Sequence, residues 1–209
     1  QWWGDEVVLQ GECFYTYSAS AHELMKKGIK ELCHWQKPDG TLFAPIPAGN
    51  YSSELPGQML AAIGKYGFWN YYMNTADRAT IEEAYPHVKR YLDLWKTDDT
   101  GLTAFRTGGW TWGDWGDQKD MRLLFAGWHY LALEGAAGMA HILGYEEDAA
   151  RFEEIMARVK EGYNKCWNGY AYRHPEYQGE TDDRVQALAV ITGIASSDKY
   201  DKILQLFKS

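Results

Sequence analysis

Two kinds of helical segment alternate along this chain, and no other feature narrows its fold so far. In the first kind the apolar residues keep to one stripe, as in Ile81, Ala84, Tyr85, Val88, Tyr91, Leu92 and Trp95. That spacing gives a helix one dry face and one wet face. Phe152, Ile155, Met156, Val159, Tyr163 and Cys166 repeat it, and Met25, Ile29, Leu32 and Cys33 form a shorter version. The second kind is apolar nearly all round: Met59 to Met73 holds one charge, Lys65, and Leu123 to Gly144 holds one, Glu134. A helix of that kind has to be covered on every side. The second run is long enough to span a bilayer, but Glu134, His129, His141 and the glycines between Gly127 and Gly144 suit a crowded protein interior better, so no membrane partner is expected.

A degenerate repeat supports two layers of helices. Three striped segments end alike, in Glu-Leu-Cys-His-Trp35, Tyr-Leu-Asp-Leu-Trp95 and Tyr-Asn-Lys-Cys-Trp167. Period and pattern together predict αα-hairpins over about residues 6–36, 56–96, 121–167 and 181–207, in a single all-α domain spanning 1–209. Such hairpins stack into a toroid with the greasy helices inside and the striped ones outside. An arc of about four is an incomplete ring with bare apolar edges, which predicts either a truncated barrel or association of copies through those edges.

Loops rich in punctuation residues separate the hairpins, at Lys37-Pro38-Asp39-Gly40 through Pro56, at Asp98 to Asp120 and at Asn168 to Glu180. Binding and catalytic residues concentrate on loops of this kind. Leu102 to Phe105 and Tyr170 to Tyr172 read as small β pieces on one rim. The most informative stretch runs from Gly108 to Asp120, where Trp110, Trp112 and Trp115 interleave with Asp114, Asp117 and Asp120. Indole faces stack on the apolar face of a pyranose, carboxylates accept from vicinal hydroxyls, and glycines let the backbone come close. The competing reading is a surface turn with the tryptophans buried beneath it. Ten Trp and fifteen Tyr beside seven Phe fit stacking on sugars and core filling alike. Three acidic clusters stay equally open between helix capping and ligand contact: Trp2-Trp3-Gly4-Asp5-Glu6, Glu54 before Pro56, and Glu180-Thr181-Asp182-Asp183-Arg184.

Several chemistries are disfavoured. A formal charge of −8 argues against a nucleic-acid partner, because that affinity rests on Lys and Arg neutralising phosphates. Cys13, Cys33 and Cys166 form no paired framework, the six histidines are scattered, and no phosphate loop, GxSxG elbow or HExxH pair occurs. Neither a metal nor a cofactor is expected.

In order along the chain, several motifs match one known family. Trp2-Trp3-Gly4-Asp5 resembles the end of its first motif, an aromatic-x-Gly-Asp preceded by an acidic residue. The run Pro86-His87-Val88-Lys89 is similar to its Pro-x-(Val/Leu)-(Lys/Arg) outer helix. Asp99-Thr100-Gly101-Leu102 and Gly113-Asp114-Trp115 resemble its Asp-Gly-Leu and (Gly/Val)-Asp-Trp segments, and Gln186-Ala187-Leu188-Ala189-Val190 resembles its Asn-Ala-Leu-Ala-Val inner helix. The family is the bacterial alpha-L-rhamnosidases, glycoside hydrolase family 78 and close relatives, built on a six-hairpin barrel.

The resemblance implies a carbohydrate substrate, inverting hydrolysis of terminal alpha-linked L-rhamnose or a related sugar, and a periplasmic or extracellular setting. It implies sugar-binding roles for Asp5 and Asp114, with Trp2, Trp112 and Trp115 as platforms. The Glu acid and Glu base that such hydrolysis needs have no counterpart among these residues, so no catalytic residue is assigned and the chain alone is expected to be inactive. Two alternatives remain, a non-catalytic carbohydrate-binding module and a helical scaffold for proteins.

Overall fold

The computed structural model describes Val8, Cys13, Tyr15, Thr16 and residues 18–47, 54–108, 111, 113 and 116–208. Its regular elements are helices: α1 (Ala19–His34), α2 (Pro56–Ile63), α3 (Phe68–Thr75), α4 (Arg78–Leu92), α5 (Met121–Leu143), α6 (Glu146–Lys165), α7 (Asp183–Ile191) and α8 (Tyr200–Leu206), with a 3₁₀ turn at Ser197–Lys199 before the last. The expected rim β pieces reduce to two bridges among the described residues, Thr97 with Thr103 and Trp167 with Tyr172.

The two helix classes take the layers that their patterns demand. On α4 every stripe residue from Ile81 to Leu92 is buried, together with Trp95 just beyond, while Glu82, Glu83 and Arg90 face away. On α6, Phe152, Val159, Tyr163 and the capping Cys166 are buried, Glu147, Glu153, Glu154 and Glu161 are exposed, and Asp148 is half-buried against Tyr85 and Lys89. These are outer helices. In α2 seven residues of eight are buried, and α5 is buried on almost every side over its length. Past Arg122, which pairs with Asp98 at the N-terminal end, its one charge is Glu134, which pairs with Lys65 at 2.7 Å across to the α2–α3 connection. Among the described residues no helix is long and apolar enough to cross a membrane. The central helix α5 joins two cores: one shared with α1 to α4 and the start of α6, and one shared with the rest of α6, α7 and α8.

One expected helix is broken. The apolar run from Met59 to Met73 is not continuous but stops at Ile63 and restarts at Phe68. The cause is a close crossing with α5. Lys65 N–H donates to the carbonyl of Leu131 (3.0 Å), a bond outside either helix. A Cβ on Gly64 would lie 2.8 Å from Ala132 Cα, and one on Gly135 would lie 2.6 Å from the Gly64 carbonyl carbon. Apolarity alone could not reveal the break, and the glycines mark it; the expected all-round burial holds for α2 but not for α3, where Phe68 and Tyr71 are buried and Met73 is 63% exposed. The hairpin predicted for 56–96 is therefore three helices, α2, α3 and α4.

The Trp-ended repeat is structural and runs further than the tryptophans. Each outer helix finishes within three residues of its Trp, and each following turn is closed by a left-handed glycine: Gly40, Gly101 and Gly169, with φ of 95°, 92° and 94°. In each turn an Asp or Asn oxygen accepts a backbone N–H two residues on, Asp39 from Thr41 (2.8 Å), Asp98 from Thr100 (2.9 Å) and Asn168 from Tyr170 (3.0 Å). This Asx geometry with Gly at positive φ reverses the chain cheaply.

Burial also sets one charge state in the core. His129 on α5 is 1% exposed, its Nδ1 lies 2.9 Å from Thr103 Oγ1, and its ring lies against Trp95. Desolvation pushes its pKa down from 6.5 to about 3, so the folded chain keeps it neutral where the unfolded chain takes up a proton. Stability should therefore fall as pH drops below about 6.5, by about 1.4 kcal/mol per unit until the folded value is reached. Urea unfolding between about pH 4.5 and 7 measures that slope, and His129→Asn should flatten it. Equal slopes in both proteins would remove His129 as the cause.

Candidate functional site

The N-termini of α2, α5 and α7 gather at one end of the arc, and side-chain bonds between their entry segments show it. Glu54, two residues before α2, holds Arg106 in a two-pronged ion pair, Nη2 to Oε1 at 2.9 Å and to Oε2 at 2.8 Å. Tyr91, in the last turn of α4, donates its hydroxyl to the same carboxylate at 2.7 Å. Burial first, and the Glu54 charge second, push the Tyr91 phenol well above its ordinary range. The Arg106 guanidinium also lies over the Trp95 ring, 5.2 Å from its centroid. The loop ending α4 and the loop entering α5 are thus pinned to the mouth of α2.

A second junction ties α5 to α7. Asp120 caps α5, accepting Leu123 N–H at Oδ1 (3.3 Å), and its Oδ2 accepts His174 N–H (2.7 Å). Asp182 caps α7, its Oδ1 accepting from Arg184 N–H (3.1 Å) and Nε (2.8 Å), while its Oδ2 accepts the backbone N–H of Asp120 (3.0 Å). Each cap satisfies orphan N–H groups of its own helix and one group of the neighbouring loop. Burial pushes the Asp120 carboxyl up, against the pull of the His174 and Leu123 N–H groups. Gln186 completes the junction, donating to Tyr172 O (2.7 Å) and accepting Tyr172 N–H (2.8 Å) like one rung of a sheet.

The loop that carries the Trp and Asp cluster is held at Gly108, Gly113 and Gln118. Arg184 Nη1 donates to Gly113 O (2.9 Å) and Nη2 to Gln118 O (2.8 Å). Gly108 packs so tightly on the start of α2 that a Cβ there would lie 2.3 Å from Glu54 O.

These contacts decide two of the open readings, at Glu54 and Asp182, and make Asp120, read as part of the Trp and Asp loop, a helix cap. Glu54, Asp120 and Asp182 are the buried acids among the described residues, and both oxygens of each are engaged by protein donors. They build the mouth, each tying a helix entry to a neighbouring loop or helix. Asp182→Ala should cost about 2 kcal/mol, the loss of a helix cap and of the Asp120 and Arg184 contacts together. A urea midpoint unchanged from the unsubstituted chain would remove that role. The five residues expected to hold sugar, Trp2, Asp5, Trp112, Asp114 and Trp115, lie outside the described residues. Arg106, His174 and Gln186 were not expected at the mouth. Single polar residues in loops carry no periodic signal, and Gln186 entered only as the first residue of the motif that resembles Asn-Ala-Leu-Ala-Val.

Burial raises the Cys33 thiol to about 12 and the Cys166 thiol to about 11, which keeps both protonated near neutral pH. Among the described residues no three His, Cys, Asp or Glu side chains are grouped to hold a metal ion.

With this geometry in view, the sequence matches the bacterial alpha-L-rhamnosidase 6 hairpin glycosidase domain over residues 1–207. The chain belongs to that family. Solved rhamnosidases share its fold at low identity. The GH78 family rhamnosidase of a Bacillus species is 20% identical with a TM-score of 0.76, over 100% of this chain and 22% of that one. The rhamnosidase from Klebsiella oxytoca, with rhamnose bound, is 18% identical with a TM-score of 0.81, over 98% of this chain and 40% of that one. The Streptomyces avermitilis alpha-L-rhamnosidase complexed with L-rhamnose is 21% identical with a TM-score of 0.72, over 99% and 20%. The chain thus spans between a fifth and two fifths of these proteins. No curated protein sequence matches it. The all-helical six-hairpin architecture implied by the motifs is therefore the architecture found, as a partial arc.

Proposed function

We propose that these residues form part of the catalytic barrel of an inverting, alpha-L-rhamnosidase-like glycoside hydrolase, and that the mouth formed by α2, α5 and α7 holds terminal rhamnose or a related sugar. Asp5 and Asp114 accept hydrogen bonds from its hydroxyls, and Trp2, Trp112 and Trp115 stack on its ring. One observation carries the reading: the three buried acids of the mouth are all consumed in pinning its loops, so the mouth is a rigid frame around the Trp and Asp loop. Inverting hydrolysis needs two free carboxyl groups with room for a water between them. Neither Glu54, Asp120 nor Asp182 meets that need, and the motif match assigns the acid and base to no residue of this chain. Residues 1–209 therefore hold the sugar without cleaving it.

The test compares this chain with a polypeptide extended at each end, on a nitrophenyl alpha-L-rhamnoside and on methyl alpha-L-rhamnoside binding. The expected result is binding by both and hydrolysis by the extended form alone, with Asp114→Asn weakening binding by about tenfold, the loss of a charged hydrogen-bond acceptor. Hydrolysis by residues 1–209 would place an acid and base within them and refute the assignment. Binding without hydrolysis by either form would make this a carbohydrate-binding module.

A further inference from the structure

We propose that Phe105 is a stacking platform of the mouth, taking the apolar face of the bound sugar on its open side. The proposal rests on the sugar-binding reading above and adds a residue that no motif marked. After the bridge at Thr103 the chain runs along α5 toward its N-terminus. Thr103 Oγ1 meets His129, and Phe105, two residues on, meets Phe125, one helical turn nearer the mouth. The two steps agree in length, about 7 Å for two extended residues and about 6 Å for four helical ones. The next residue, Arg106, reaches Glu54 at the entry of α2, and Gly108 packs on the same entry. Phe105 therefore sits between the N-termini of α2 and α5, three residues before Gly108, where the Trp and Asp loop begins in the sequence.

Its ring is built to present a face. It stacks on Phe125 at a centroid distance of 5.5 Å and an interplanar angle of 16°. Phe125 is 1% exposed, so it is a fixed base; Phe105 is 44% exposed, so its other face is open. Leaving a large aromatic half wet at the mouth forgoes burial that a turn inward would gain. A pyranose supplies the missing cover, because its axial C–H groups lie flat on an aromatic face while its hydroxyls reach polar groups at the edge. The chemical class is a hexose or deoxyhexose ring with one apolar face.

Calorimetric binding of methyl alpha-L-rhamnoside to the chain and three variants tests this. Phe105→Ala and Phe105→Leu should weaken binding by about 3- to 10-fold, and Phe105→Tyr, which keeps the flat face, should bind like the unsubstituted chain. Phe105→Leu keeps apolar cover on Phe125, so an unchanged thermal midpoint separates lost stacking from lost folding. If Phe105→Leu binds normally while Asp114→Asn does not, or if Phe105→Tyr weakens as much as Phe105→Leu, the platform is refuted and the sugar site stands. If the unsubstituted chain binds no sugar, both fall.

Discussion

Arg106→Ala should lower stability by about 3 kcal/mol, the lower end of the cost of breaking a buried ion pair, since the Arg106 side chain is 25% exposed and its partner Glu54 only 8%. In a chain of this size that is a fall of roughly 6 to 12 °C in the thermal midpoint. The loss comes mainly from what stays behind. Glu54 keeps its hydrogen bond from Tyr91 but loses the cation that held both of its oxygens, and a buried carboxylate without a counter-charge is costly. The double variant Glu54→Gln with Arg106→Met removes the charge along with its partner, and Gln still accepts from Tyr91. It should recover more than half of the loss. If the single and double variants unfold alike, the pair does not pin the mouth.

Gly135→Ala should be comparably damaging, against what helix propensity predicts. In a helix interior Ala is better than Gly by up to about 1 kcal/mol, and Gly135 lies mid-way along α5. The added Cβ, however, would lie 2.6 Å from the carbonyl carbon of Gly64 and 2.7 Å from Lys65 N. Those are backbone atoms, with no rotamer to swing aside, and the Lys65 to Leu131 hydrogen bond holds them against α5. Overpacking of that kind costs about 3 kcal/mol or more, so the clash outweighs the propensity gain. Gly138→Ala, three residues along, makes the contrast. Its Cβ would meet the ring of Trp69 at 2.9 Å, a side chain only partly buried and able to shift, so the loss should be smaller. Thermal unfolding of the two variants side by side checks the ordering, and a Gly135→Ala protein as stable as the unsubstituted one would mean that the α2–α3 bend can move.

Between them these two sites show what patterning can and cannot convey. The stripes on α1, α4 and α6 were readable because a helix with one dry face repeats its apolar residues every three or four positions, whatever it packs on. The Trp-ended segments were readable for the same reason, as local chain-reversing chemistry. Their tertiary fates still differ: Trp95 is 3% exposed, roofed by Arg106 and His129, while its counterpart Trp35 is 41% exposed. The break in the inner helix was written in Gly64 and Gly67, but a glycine in an apolar run signals a close approach without naming the partner. Gly135, some seventy residues away, is that partner.

The acids divide in the same way. Glu54 and Asp182 were each ambiguous between cap and ligand contact, because an acidic residue ahead of a helix serves either purpose, and Asp120 was read with the Trp and Asp loop although it caps α5. The sequence by itself determined the layered helices, their order and the family to which they belong, since those follow from short-range periodicity and from motifs a few residues long. Only the tertiary structure decided which carboxylates are frame, because that depends on Arg106 reaching Glu54 across 52 positions and on Asp182 reaching Asp120 across 62. Contacts between residues so far apart are set by how the hairpins close on one another, and no local pattern encodes that closure.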